Sequence, residues 1–113
     1  MEDASEHSPP SIIRIAVPGQ AAFQLRKGEE GISVFDMTAT APVLTAEEVM
    51  ESFRPGSQPI ARSIADIEAK GLHIVAIAGA ETLPERLRQA HREIRPAIEM
   101  TREQFKRALK ELE

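Results

Sequence analysis

Histidines and paired carboxylates are the residues in this chain whose types suit catalysis or metal binding. His7, His73 and His91 lie far apart, and none has a second ligand at metal-site spacing. His91 is followed at an alternate position by Glu93, so a strand there sets both side chains on one face. From the pattern alone, that pair reads as the polar side of a half-exposed edge strand. The chain has no cysteine, which removes thiolate zinc sites, disulfides and a Cys nucleophile. Gly28-Glu29-Glu30-Gly31 lacks the glycine spacing of a dinucleotide fingerprint and leads into a strand, so it reads as a turn. The chain contains neither a Walker lysine nor a nucleophile elbow.

The elements that must position these residues follow from periodicity. Ser11–Val17 is β-branched and reads as a strand, closed by Pro18-Gly19. Phe23 to Arg26 alternates and reads as a second strand, and Ile32 to Phe35 as a third, in a hairpin or meander. The middle reads as helical. Thr45 and Glu48 form a capping box before a helix that Arg54-Pro55-Gly56 stops. Ile60, Ile64 and Ile67 place a second helix over 60–70, with Gly71 closing it. Leu72–Ala78 is nearly all apolar and reads as the central strand, ended by Gly79. Pro84 fits the first turn of a short helix with Leu87 and Ala90 inward. His91–Ala97 reads as a strand that Pro96 confines to an edge or an end. Thr101 and Gln104 cap a last helix with Phe105, Ala108, Leu109 and Leu112 on its inner face.

Composition bounds the function classes. The 113 residues suit one domain, read as 11–113 behind a disordered acidic tail at 1–10. The hydrophobic share of 42% supports a real core. Four Phe with no Tyr or Trp, together with a net charge of -4, disfavour nucleic-acid binding. Arg86, Arg88, Arg92 and Arg95 mix with acids as a charged surface; Arg102, Lys106, Arg107 and Lys110 read as the solvated side of the last helix. No apolar run approaches the roughly 18 residues of a membrane span, and the acidic start does not suit a secretory signal. These features point to a cytoplasmic protein with no membrane partner.

Two blocks carry a family resemblance. The first ends in Gly31-Ile32-Ser33-Val34-Phe35-Asp36. The second runs through Leu83-Pro84-Glu85, Arg86-Leu87, Ala90-His91, Ile94, Pro96-Ala97 and Met100 to a closing helix with Phe105. Their order resembles small type VI secretion effector toxins with an ADP-ribosyltransferase-like fold. The resemblance spans most of the chain beyond the tail except Thr38 to Lys70. It implies an α/β (α+β) domain, with a small, split, twisted mixed sheet, three to four helices around it, and a cleft for NAD. It aligns Ser33 with a family serine important to toxicity and His91 with the histidine opening the late strand. Ile32 stands where the toxin has a threonine beside that serine. Under this reading NAD is the substrate and the acceptor is an unknown cytoplasmic molecule. Ribosyl transfer passes through an oxocarbenium-like state that a carboxylate steadies, by analogy with glycoside chemistry. Glu93 or Glu99 is then the candidate carboxylate, Arg26 the candidate pyrophosphate ligand, and Ser33 the candidate ribose ligand.

Two alternatives stand beside the enzyme. One is a non-catalytic relative that binds a protein through its helices or by strand addition along His91–Ala97. The other is an antitoxin-like regulatory protein whose acidic balance masks a basic partner. An immunity protein is an expected partner of the toxin reading, and the sequence sets no oligomeric state.

Overall fold

The computed structural model describes residues 11–77 and 82–113. The tail expected at 1–10 and the strand-ending Gly79 lie outside the described residues. In chain order the elements are β1 (Ser11–Ala16), β2 (Ile32–Asp36), α1 (Ala46–Met50), β3 (Gln58–Ser63) and α2 (Ile64–Glu68). They continue with β4 (Leu72–Ala76), α3 (Glu85–Ala90), β5 (His91–Pro96) and α4 (Arg102–Lys110). The five strands form one sheet in the order β3-β1-β2-β5-β4. The domain is α+β, as the sequence implies. All four pairings are antiparallel, where a mixed sheet was expected.

Alternation along the strands builds two cores, one on each face. Ile12, Ile32, Val34, Ile94 and Leu72 pack with Ile67 of α2 and with Phe105 and Leu109 of α4. Ile13, Ile15 and Phe35 pack with Val49 of α1 and with Leu87 and Ala90 of α3. Burying one large aliphatic or aromatic side chain is worth about 1.5–3 kcal/mol, so both layers are needed to hold so small a sheet. α4 begins with the expected reciprocal box: the Thr101 side chain accepts the Gln104 N–H, and the Gln104 side chain accepts the Thr101 N–H. At α1 only half of the expected box forms. Thr45 Oγ1 accepts the Glu48 N–H, while the Glu48 carboxylate takes Arg86 Nε at 2.6 Å and Nη2 at 3.2 Å. That bond and the opposite charge hold the Glu48 carboxyl below its ordinary value and the Arg86 guanidinium above its own.

Four expectations are corrected. Phe23–Arg26 is not a strand, although Phe23 and Leu25 are buried and Gln24 is exposed. Its backbone finds side chains instead of a ladder. The Glu113 carboxylate accepts the Ala22 and Phe23 N–H groups, Arg14 donates to the Ala22 carbonyl, and Arg102 donates to the Arg26 carbonyl. Residues 60–70 are not one helix. Gln58–Ser63 pairs with β1 along its full length, and Ser63 caps a helix that starts at Ile64. The three isoleucines still reach one core, because a strand-to-helix joint delivers Ile60, Ile64 and Ile67 to the same side.

β4 is an edge strand rather than the centre, and β5 is an interior strand rather than an edge. Pro96 is tolerated because it ends β5, opposite Leu72 at the start of β4. Strand addition along His91–Ala97 is thereby excluded, since β2 and β4 already occupy both sides of β5. No helix among the described residues is long and apolar enough to cross a membrane.

Leu109 has no exposed surface. Leu109→Ala is expected to cost about 2–5 kcal/mol in urea unfolding with an unchanged m-value. A loss below about 1 kcal/mol would mean that α4 does not close this core.

Candidate functional site

The site begins where two strands part. β1 and β2 pair only through Ile12 with Asp36 and Ile13 with Phe35. Beyond that point Arg14 occupies the divergence. Its Nη1 donates to the Ser33 carbonyl of β2 at 2.9 Å, and its Nε donates to the Ala22 carbonyl at 2.6 Å. One planar fork thus ties a strand to the neighbouring loop, a geometry that a lysine's single ammonium does not reproduce. Burial holds the Arg14 guanidinium below its ordinary value; Glu29 and Glu113 oppose that shift and Arg26 adds to it.

Two concavities flank this arginine. A cleft of about 250 Å³ is lined by Arg14, Ile15, Ser33, Phe35, Phe53 and His91, with Leu83 beside them. A smaller one of about 160 Å³ shares Arg14, Ile15 and Phe53 and adds Arg26 and Gln20. Together they make one groove with two guanidinium groups and an apolar wall. In a chain of net charge -4, the groove is a local concentration of positive charge.

β2 and β5 supply the rest. Phe35 stands opposite His91 in the ladder, and their rings lie 5.8 Å apart between centroids. His91 is buried, and its Nε2 lies 3.3 Å from Ser33 Oγ. Among the described residues, buried His91 Nδ1 has no hydrogen-bond partner. A proton there is a buried donor with nothing described to bond, which favours the tautomer in which Nε2 donates to Ser33 Oγ. In this tautomer His91 is not a base toward Ser33, and no third group among the described residues orients it as in a hydrolytic triad. The Ser33 hydroxyl hydrogen is left free to donate toward a ligand.

The structure therefore gathers three of the five residues singled out from sequence. Arg26, Ser33 and His91 all line the groove around Arg14. Glu93 does not line it. Although Glu93 is the ladder partner of Ser33, its Oε1 takes Arg95 Nε and Nη2, each at 2.8 Å. The same oxygen lies 2.7 Å from where a Cβ on Gly31 would stand, so the glycine leaves room for this ion pair. Glu99 is exposed in the connection between β5 and α4. Ile32, by contrast, is buried on the opposite face from Ser33. Its identity bears on the core beneath β2, and no hydroxyl is lost from the groove.

Arg14 was missed from sequence, where Ile-Arg-Ile reads as a strand with one outward polar residue. Phe53 was missed as well, being the end of a helix pattern. No group of three or more His, Cys, Asp or Glu converges as a metal site among the described residues. Compared with protein-family models, curated proteins and solved structures, the chain matches none.

Arg14→Lys is expected to lose about 1–3 kcal/mol of stability, because at least one carbonyl loses its charged donor. Hydrogen exchange at Ala22 and Phe23 should quicken in the same variant as the loop loosens. Unchanged stability and exchange would show that the fork does not hold the groove.

Proposed function

We propose that this domain binds NAD in the groove around Arg14 and acts as an ADP-ribosyltransferase-like toxin domain on a cytoplasmic acceptor. The observation that carries the reading is the convergence of Arg14 and Arg26 with the Ser33 hydroxyl along one apolar wall. Guanidinium groups suit the pyrophosphate, through charge-assisted and bidentate hydrogen bonds. A flat heteroaromatic ring fits against Phe35 and Phe53, which already meet edge to face with centroids 6.0 Å apart. Ser33, with its own oxygen accepting from His91, donates to a ribose or carboxamide oxygen. The resemblance of the Phe23–Asp36 and Leu72–Leu109 blocks to effector toxins supports the same assignment.

Transfer also requires a carboxylate near the ribose. Glu93 supplies it only by exchanging Arg95 for the substrate, a side-chain rotation on a strand that already faces Ser33. The Glu93–Arg95 pair is also the observation that favours a second reading, a relative that binds a nucleotide or a protein without transferring ribose. Nicotinamide release separates the two readings.

Amide shifts titrated with NAD, alone and in Arg26→Ala and Ser33→Ala, test the proposal. Saturable shifts at Gly31–Asp36 and His91–Ile94 are expected, weakened about tenfold in Arg26→Ala, the scale of one lost charge-assisted bond. Folded protein without shifts at millimolar NAD would overturn the reading. Shifts without nicotinamide release, in the presence of cell extract as the acceptor source, would favour binding without transfer.

A further inference from the structure

The sheet has two outer strands, β3 and β4, and they differ in what they offer another chain. β3 carries Pro59 and Arg62. A proline and a charge are ordinary means by which an edge strand is kept from pairing. β4 has neither: Leu72–Ala76 reads LHIVA, and Ile77 continues it. The charges beside β4 are already engaged. Of its ladder partners on β5, Glu93 and Arg95 are paired with each other at 2.8 Å. Arg92 donates to the Gln89 and His91 carbonyls.

One bond tells which backbone groups of β4 face outward. The Ala97 N–H donates to the Gly71 carbonyl at 2.9 Å, in line with the β4–β5 register. Bonded and non-bonded pairs alternate along an antiparallel ladder. His73 with Arg95 and Val75 with Glu93 are then bonded pairs, and Leu72, Ile74 and Ala76 turn their N–H and C=O groups away from β5. Leu72 is buried, whereas Ile74 is half-buried and Ala76 exposed. Among the described residues, no backbone hydrogen bond outside the ladder reaches Ile74 or Ala76. Unused donors and acceptors therefore stand at alternate positions of an uncharged, apolar edge.

We propose that β4 pairs antiparallel with β4 of a second copy of this chain, about a twofold axis at Val75, so that two sheets become one. In that register Ile74 lies opposite Ala76 of the second copy, and each such pair exchanges both of its N–H to C=O bonds. Val75 faces its own counterpart and His73 faces Ile77, so no charge is set against a like charge. The edge requires an extended strand that is uncharged on both faces and has unused donors at alternate positions, and β4 itself meets that requirement. The strand is short and buries less than the ~800 Å² per partner of a standard complex, so the dimer is weak. No residue of β4 lines the nucleotide groove, and the pairing stands apart from that reading.

The test is sedimentation equilibrium of the full chain from about 10 µM to about 1 mM, with amide shifts followed over the same range; a dissociation constant of roughly 0.1 mM is expected. The amide protons of Ile74 and Ala76 should move downfield as the concentration rises, by more than those of His73 and Val75, which are bonded to β5 throughout. Ala76→Lys puts on both copies the charge that blunts natural edges, and should weaken the dimer at least about tenfold. The position is exposed, so this variant is expected to fold. Ala76→Pro removes an outward N–H while leaving the β4–β5 bonds in place, and should weaken it to a similar degree. A chain that stays monomeric across that range, a dimer in which the Ile74 and Ala76 amides do not move, or undiminished dimerisation of folded Ala76→Lys would each overturn the proposal.

Discussion

The half-buried guanidinium of Arg14 is the interaction on which the rest of this architecture turns. Antiparallel strands that part after two residue pairs leave backbone groups facing one another without partners. Arg14 fills that space and donates to a carbonyl on each side, Ser33 on β2 and Ala22 in the loop. A hydrogen bond to a charged group contributes more than a neutral one, and leaving either carbonyl dry would cost a comparable amount. The split in the sheet is held because one guanidinium bridges its two sides. The same group makes the split locally positive.

The loop beyond β1 is held by side chains at both of its faces. Ala22 accepts from Arg14 on the groove side and donates to Glu113 on the side of α4. Phe23 is clamped by the same carboxylate below and by the Arg62 guanidinium, 5.7 Å from its ring centroid. A segment without a strand ladder thereby serves as a shared wall between two concavities. Both concavities depend on that wall staying in place, one on its groove side and one on its α4 side.

Much of this was legible in the residues, for reasons that can be named. The capping residues Thr45 and Thr101, the turn at Gly56 and the inward faces of α3 and α4 are local signals, and they appear where the pattern puts them. What escaped depends on distant partners. Phe23 and Leu25 alternate like a strand, yet the carboxylate that accepts the Phe23 N–H lies 90 positions away. The β4 sequence is the most apolar in the chain and still lies at an edge. β5 is full of charge and lies inside, because Glu93 pairs with Arg95 along the strand and His91 with Ser33 across to β2. Hydropathy ranks strands by their own side chains and has no access to such pairings. At the site, Ser33, His91 and Arg26 were named from the order of the sequence blocks, while the Ser33–His91 contact needed the β2–β5 register. Arg14 could be found only once the parting of β1 and β2 was known.

The central claim is that Arg14 both holds the split and presents the groove's charge. The side-chain Nε–H resonance of Arg14 tests it most directly, in labelled protein with and without NAD. The account predicts a slowly exchanging Nε–H, correlated through its hydrogen bond with the Ala22 carbonyl carbon. That correlation should persist when NAD is added, while the Arg14 Nη and Arg26 signals shift. An Arg14 Nε–H exchanging as fast as an exposed arginine's, with no correlation to Ala22, would contradict it.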